Sequence, residues 1–162
     1  MISIEYNDPE VIEALGRLAA LLDDMSPAMH KIGGYMRDQT EDRFKTETDP
    51  LGNPWAPRSA VTLRAYEQRA KKPGEQASWG GVLHYSGQLS GNIFSESGPD
   101  WARIGSPEPY AAMMQFGGTK SAFPHLWGDI PARPYLGVSE EDHSGILDII
   151  AEQIGNAMGV DL

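Results

Sequence analysis

Between Asp49 and Pro57 the chain reads Asp-Pro-Leu-Gly-Asn-Pro-Trp-Ala-Pro, and no other stretch limits the possible fold so strongly. Its prolines remove backbone donors and fix φ, which forbids both a regular helix and a central strand. Gly52 supplies the backbone freedom a turn there needs. The segment must therefore be an extended connection that ends whatever precedes it. What precedes it reads as two helices. Asp8 is placed to cap the first, with Pro9 at its first position, and Val11, Leu15, Leu18 and Leu22 form an apolar stripe at helical spacing. Ser26-Pro27 restarts a second helix in the same way. Met29, Ile32, Met36, Thr40 and Phe44 follow one face of it, and it ends before Asp49-Pro50. The joint at Asp23-Asp24-Met25 suits an antiparallel pair and other crossing angles equally. Ahead of both helices, alternation in Ile2-Ser3-Ile4-Glu5-Tyr6 predicts a short strand.

Beyond Pro57, propensity predicts a short helix over residues 59–70. Lys72-Pro73-Gly74-Glu75-Gln76 then gives a flexible loop, so residues 71–80 are expected to be mobile in the isolated subunit and nicked first by proteases. Ser86 to Asn92 reads as a turn or short helix. A hairpin follows, with strands Ile93–Glu96 and Trp101–Ile104 about a Gly98-Pro99-Asp100 turn. Pro109 opens a helix through Phe116 that Gly117-Gly118 stops. Pro134 to Val138 reads as a strand. Ser139-Glu140-Glu141-Asp142 has the form of a capping box before a last helix whose core face is Ile146, Ile149, Ile150 and Ile154. There is no internal repeat. The 162 residues suit one domain, 1–162, of the α+β class. It is expected to have a small antiparallel sheet packed by the N-terminal helices and a C-terminal helix, with long extended loops.

Charge and composition exclude several functions. Lys+Arg 13 against Asp+Glu 23 leaves a net charge of −10, which argues against nonspecific binding to duplex DNA. The charge is unevenly placed. Arg58, Arg64, Arg69, Lys71 and Lys72 cluster, whereas no Lys or Arg follows Arg133 and the acidic Glu140, Glu141, Asp142, Asp148, Glu152 and Asp161 do. These are either two solvated faces or complementary surfaces of neighbouring copies. No cysteine is present, so disulfides, zinc thiolates and cysteine nucleophiles are out, and the reducing cytoplasm is a fitting place of synthesis. No signal peptide and no apolar run of spanning length is seen, so no membrane contact is expected.

A search for chemistry finds no metal, cofactor or catalytic site. His30, His84, His125 and His143 are isolated, and Glu141, Asp142 and His143 would diverge on a helix. Ser86-Gly87 and Ser90-Gly91 lack the strained serine elbow. The glycines of Gly117-Gly118-Thr119-Lys120 close a helix, where a phosphate cradle needs them to open one. The four tryptophans, Trp55, Trp79, Trp101 and Trp127, all lie beside glycine or proline, as small satellite-core anchors or as interface anchors. Trp55, in its rigid proline setting, is expected to matter more than Trp79.

Four segments in order resemble one family. They are Arg43-Phe44 with Asp49–Pro57, Leu83–Ile93, Ile104–Ser106 with Tyr110–Gly118, and Ile130–Ser139. Their patterns, "F…DP.G..W.P", "L…(S/T)G.L…I", "IGS…YA..HQFGG" and "IPARPFLGLS", are those of the phage virion morphogenesis family, the tail-completion proteins of Mu-like and P2-like phages. Met114 stands where the family usually has His, so that histidine cannot be essential here. The resemblance implies a structural virion protein that completes the tail and enables head–tail joining. It further implies a homo-oligomeric, hexameric ring at the neck, with the tail terminator or tail tube and the head connector as partners, assembled in the host cytoplasm. Trp55, Arg58, Arg64, Arg69, Lys71, Lys72, Gln115 and Arg133 are the candidate interaction residues. Asp49, Pro50, Gly52, Gly87, Tyr110, Phe116, Gly117, Pro131 and Pro134 are the structural ones. Tyr110, Met113 and Phe116 would pack one face of their helix, with Gln115 bonding outward. Arg133, held between Pro131 and Pro134, would fork onto an acceptor within its own copy or on a neighbour, and its loss is expected to harm assembly more than folding. The alternatives are a DNA-contacting channel or connector protein, carried by the basic cluster, and a cell-wall hydrolase.

Overall fold

The computed structural model describes residues 8–70, 81–126 and 128–160, without the side chains of Arg69 and Ala70. The strand expected over Ile2–Tyr6, the 71–80 loop with Lys71 and Lys72, Trp79 and Trp127 lie outside the described residues. The elements in chain order are α1 (Pro9–Asp23), α2 (Ser26–Thr46), α3 (Ala60–Ala70), α4 (Gln88–Gly91), β1 (Phe94–Ser97), β2 (Ala102–Gly105), α5 (Ala111–Phe116) and α6 (Glu140–Met158). The fold is α+β, its sheet reduced to the antiparallel pair β1–β2. The strand expected over Pro134–Val138 does not form, because the backbone groups of that extended segment are taken by side chains instead of by a neighbouring strand.

The described chain divides into two compact units. One holds residues up to Tyr35 with 95–103 and 140 onward. In it, Asp8 accepts the Glu10 N–H at 2.9 Å and Pro9 opens α1, as the sequence predicts. The α1 stripe is a different matter. Val11, Leu15 and Leu22 stand exposed, and no residue of α1 is fully buried. The helix meets α6 along an adjacent row instead: Ala14, Leu18 and Leu21 are half-buried, and Arg17 donates to the Ala157 carbonyl at 2.7 Å. That row shares Leu18 with the apolar stripe and is turned from it by a fraction of a turn, so periodicity alone placed the buried face only approximately. In the same unit Tyr35 of α2 lies on Gly145 of α6, where an added methyl group would displace the tyrosine ring, and Lys31 pairs with Glu152 at 2.8 Å. Ile146, Ile149, Ile150 and Ile154 of α6 are half-buried.

The second unit comprises residues 36–94 and 104–139. Its core is Phe44, Trp55, Leu89, Ile93, Ala111 and Tyr135, with Val82, Leu83, Met114 and Leu136 packed around it. Phe44 is the centre of the aromatic packing, 5.4 Å from Trp55 in an edge-to-face arrangement and 5.2 Å from Tyr135. Every one of the four sequence segments contributes to this cluster. The segments that look like a family signature are therefore the parts of one hydrophobic core.

Candidate functional site

The extended segment Ile130–Gly137 is where the second unit is tied together. Pro131 and Pro134 have no N–H, so a ladder partner could satisfy it only in part. At its start Gly118 and Ile130 exchange both backbone bonds, at 2.9 and 2.8 Å. Arg133 N–H donates to the Met114 carbonyl at 2.8 Å. From there side chains take over. Trp55 Nε1 donates to the Pro134 carbonyl at 2.8 Å. Gln115 Oε1 accepts the N–H groups of Tyr135 and Leu136, both at 3.0 Å, while its Nε2 donates to the Leu136 carbonyl at 2.9 Å. Arg43, buried in α2, donates to the carbonyls of Tyr135 at 3.1 Å and Gly137 at 2.9 Å. An amide side chain and a guanidinium thus imitate a neighbouring strand, donors facing carbonyls and acceptors facing N–H groups. Tyr135, 1% exposed, closes the core, and its hydroxyl donates to the Ala111 carbonyl at 3.4 Å. Burial, then the nearby Tyr110, pushes that hydroxyl above its ordinary pKa.

Gln115 therefore bonds inward, against expectation. The reason is the short helix it sits on: Ala111 and Gln115, one turn apart, face the core, which turns Tyr110 and Phe116 toward solvent. Tyr110, Met113 and Phe116 accordingly do not form a packed face, and Phe116 is 77% exposed. Arg133 also turns inward. It is buried, with Nε donating to the Ala56 carbonyl at 2.7 Å and Nη2 to the Pro57 carbonyl at 3.0 Å. Burial, and after it the like charge of Arg58, pulls its pKa below the usual value. The prolines around Arg133 do hold the fork rigidly, but its acceptors belong to the same copy.

Folding, more than assembly, should then register its loss. Arg133→Ala is expected to lower the stability of the isolated subunit by about 1–3 kcal/mol, because two partly buried carbonyls lose a charged donor. Arg133→Lys should recover only part of this, since one ammonium cannot reproduce the fork. Thermal melts of the isolated variants check both, and an unchanged midpoint for Arg133→Ala would contradict the assignment.

The other candidates are dispersed in role. Trp55 is core. Arg58 donates to the carbonyls of Val82, at 3.0 Å, and Gly81, and lies over the Tyr66 ring. Arg64 is exposed on α3. Pro50 fills the space beside Gly137, Gly52 takes φ +81° at its turn, and Gly87 takes φ +78° ahead of α4. Asp49 organises its own loop: Oδ1 accepts the N–H groups of Leu51 and Asn53 at 2.9 and 2.8 Å, and Oδ2 accepts from the Asn53 amide at 3.0 Å. Burial alone would raise the Asp49 pKa, but these bonds and the charge of Arg43 outweigh it, so the carboxyl lies below its ordinary 3.8. Its contribution is complete above that value and is lost as pH falls through the lower folded one. Protection factors at Leu51 and Asn53, each referred to the intrinsic exchange rate at the same pH, should fall in acid, and Asp49→Asn should flatten that dependence.

Two features escaped the sequence reading. One is the Arg43 clamp, whose only signal was an arginine beside a core phenylalanine. The other is an open pocket in the same unit, lined by residues of α3, the 82–89 segment and α5. Among the described residues no group of His, Asp and Glu side chains is arranged to hold a metal, and no helix is long and apolar enough to cross a membrane.

Comparison with known proteins finds relatives among Mu and Mu-like phage proteins. The G protein of Escherichia phage Mu, provisionally named for capsid assembly, is 34% identical over 120 residues, covering 74% of this chain and 72% of that protein. The Mu-like prophage FluMu G protein 2 of Haemophilus influenzae is 30% identical over 153 residues, 94% and 95% of the two chains. FluMu G protein 1 of the same organism is 27% identical over 154 residues, 93% and 94% of the two chains. No solved structure matches. The model of the phage virion morphogenesis family matches residues 6–155. The chain belongs to the phage virion morphogenesis family, and its role is structural, in completing the tail of a phage particle.

Proposed function

We propose that the subunit completes the tail by forming a homo-oligomeric ring at the neck, where the tail meets the head connector. A hexameric ring would follow the tail axis. The observation that carries this reading is the presentation of large apolar side chains on a rigid scaffold. Leu51 is 80% exposed and Phe116 77%, yet each grows from backbone locked by the bonds described above. Such side chains are anchors awaiting a protein surface. The capsid-assembly name carried by the phage Mu relative fits a place at the head-facing end. A DNA-contacting role has less support, because Arg58 and Arg133 spend their guanidinium groups on carbonyls of their own copy.

The test is a phage lacking this gene. Filled heads and separate tails should accumulate, and adding the purified protein to the lysate should join them. Native mass measurement of the completed tails should then find several copies per tail. Heads and tails that join without the protein would sink the reading.

A further inference from the structure

Resting on the ring reading, we propose that Phe116 of one copy seats in an aromatic pocket of the next. The pocket is an open cavity of about 360 Å³ within the 36–94 and 104–139 unit, and its walls include Arg58, Tyr66, Tyr85, Ser86, Tyr110 and Met114. The wall is preformed. Tyr66 and Tyr85 stack with centroids 5.3 Å apart and planes 26° apart. Arg58 covers Tyr66 at 4.9 Å and is itself pinned to the Gly81 and Val82 carbonyls. A dry cavity of roughly 150 Å³ is enough to take a benzene ring, so the space admits a phenyl group. Tyrosine edges and faces on its walls suit an aromatic guest better than an aliphatic one such as Leu51.

The guest cannot come from the same copy. Tyr110 and Met114, one turn apart, lie on the pocket side of α5. Phe116 follows Met114 by two residues and so projects from the other side, the side on which Ala112 is also exposed. Phe116 is the most exposed aromatic among the described residues. It is also firmly held. Gly117 N–H donates to the Met113 carbonyl at 2.9 Å, and Gly118 pairs with Ile130 immediately after. A rigid knob and a preformed hole lose little freedom on joining. With the knob on one side of α5 and the hole on the other, the contact is heterologous, and its repetition closes a ring or extends a filament. A two-fold pairing would instead need both knobs to enter both holes at once, and would give doubly linked dimers with no ladder.

The absence of cysteine from the chain makes the test direct. Phe116→Cys and Ser86→Cys are made singly and together in the full protein, assembled on tails and treated with a short bismaleimide. Both positions are exposed, and thermal melts confirm that the variants fold. The double variant should give a ladder of linked copies ending in a closed ring. A mixture of the two single variants should give dimers only, and each single variant alone should give none. Phe116→Ala should lower the number of tail-bound copies about tenfold or more, the behaviour of an anchor residue. Linkage of Phe116→Cys to itself, or to another tail protein, would overturn the proposal. So would an unlinked double variant on tails that carry several copies, in which case the ring stands and this contact falls. A native mass showing one copy per tail would remove the ring and the contact together.

Discussion

Trp55→Ala is expected to lower the unfolding free energy of the isolated subunit by about 3–5 kcal/mol. The indole is almost fully buried, packs edge-on against Phe44 and donates to the Pro134 carbonyl. Its removal opens a cavity in a small cluster and also leaves that carbonyl without its donor. Domains of this size are stable by roughly 5–15 kcal/mol, so a loss of that order should show as a reduced folded yield. Trp55→Phe separates the two effects. It keeps most of the packing and loses only the donated bond, for an expected cost of about 1–2 kcal/mol from the bond plus a residual cavity. Denaturant titration of both variants checks the ranking. If alanine and phenylalanine were equally tolerated, Trp55 would not be part of the core.

Gly117→Ala should be nearly as severe, for a reason that lies in the backbone. Gly117 has φ +69°, and a Cβ placed there would stand 2.6 Å from Ala132 N and 2.7 Å from the Ile130 carbonyl oxygen. With ψ −176° Gly117 lies in a region open essentially to glycine alone, where an alanine costs about 1–3 kcal/mol, and forcing a methyl group into packed backbone adds about 1–3 kcal/mol. The strain has two outlets. Either the Gly118–Ile130 pairing opens, or the last turn of α5 shifts and carries Phe116 with it. Thermal melts should show the loss, and faster amide exchange at Gly118 and Ile130 would identify the first outlet. Gly52→Ala is the control. That residue has a similar φ of +81° with no atom within 4 Å of the added methyl, so it should pay the conformational cost alone, about 1–2 kcal/mol. Equal effects at the two glycines would show that the close approach at Gly117 does not matter.

Local chemistry, which acts over a few residues, was legible in the chain. Asp8 and Pro9 start α1, Ser26 starts α2, the Gly98-Pro99-Asp100 turn joins β1 to β2 to within a residue of the expected bounds, and Gly117 ends α5. Each outcome depends on a cap, a fixed φ or a left-handed residue, and these hold regardless of what packs nearby. The four motif segments likewise identified the family, because they carry the residues of one core.

Direction was not legible. The α1 stripe, the strand expected at Pro134–Val138 and the outward Gln115 were all read from patterns that say which residues are alike, not what lies opposite them. Alternating or helical spacing marks a face. Only the position of α6 decided that α1 buries a different row, and only the convergence of Arg43, Trp55 and Gln115 on Ile130–Gly137 let side chains replace a strand. The same holds for Arg133. The sequence by itself determined that the guanidinium would be rigidly presented between two prolines, and that the chain would be a structural member of its family. Tertiary structure decided that the acceptors are Ala56 and Pro57, more than seventy residues earlier. Partners so distant are brought together by the packing of the whole unit, a long-range outcome that no local propensity encodes.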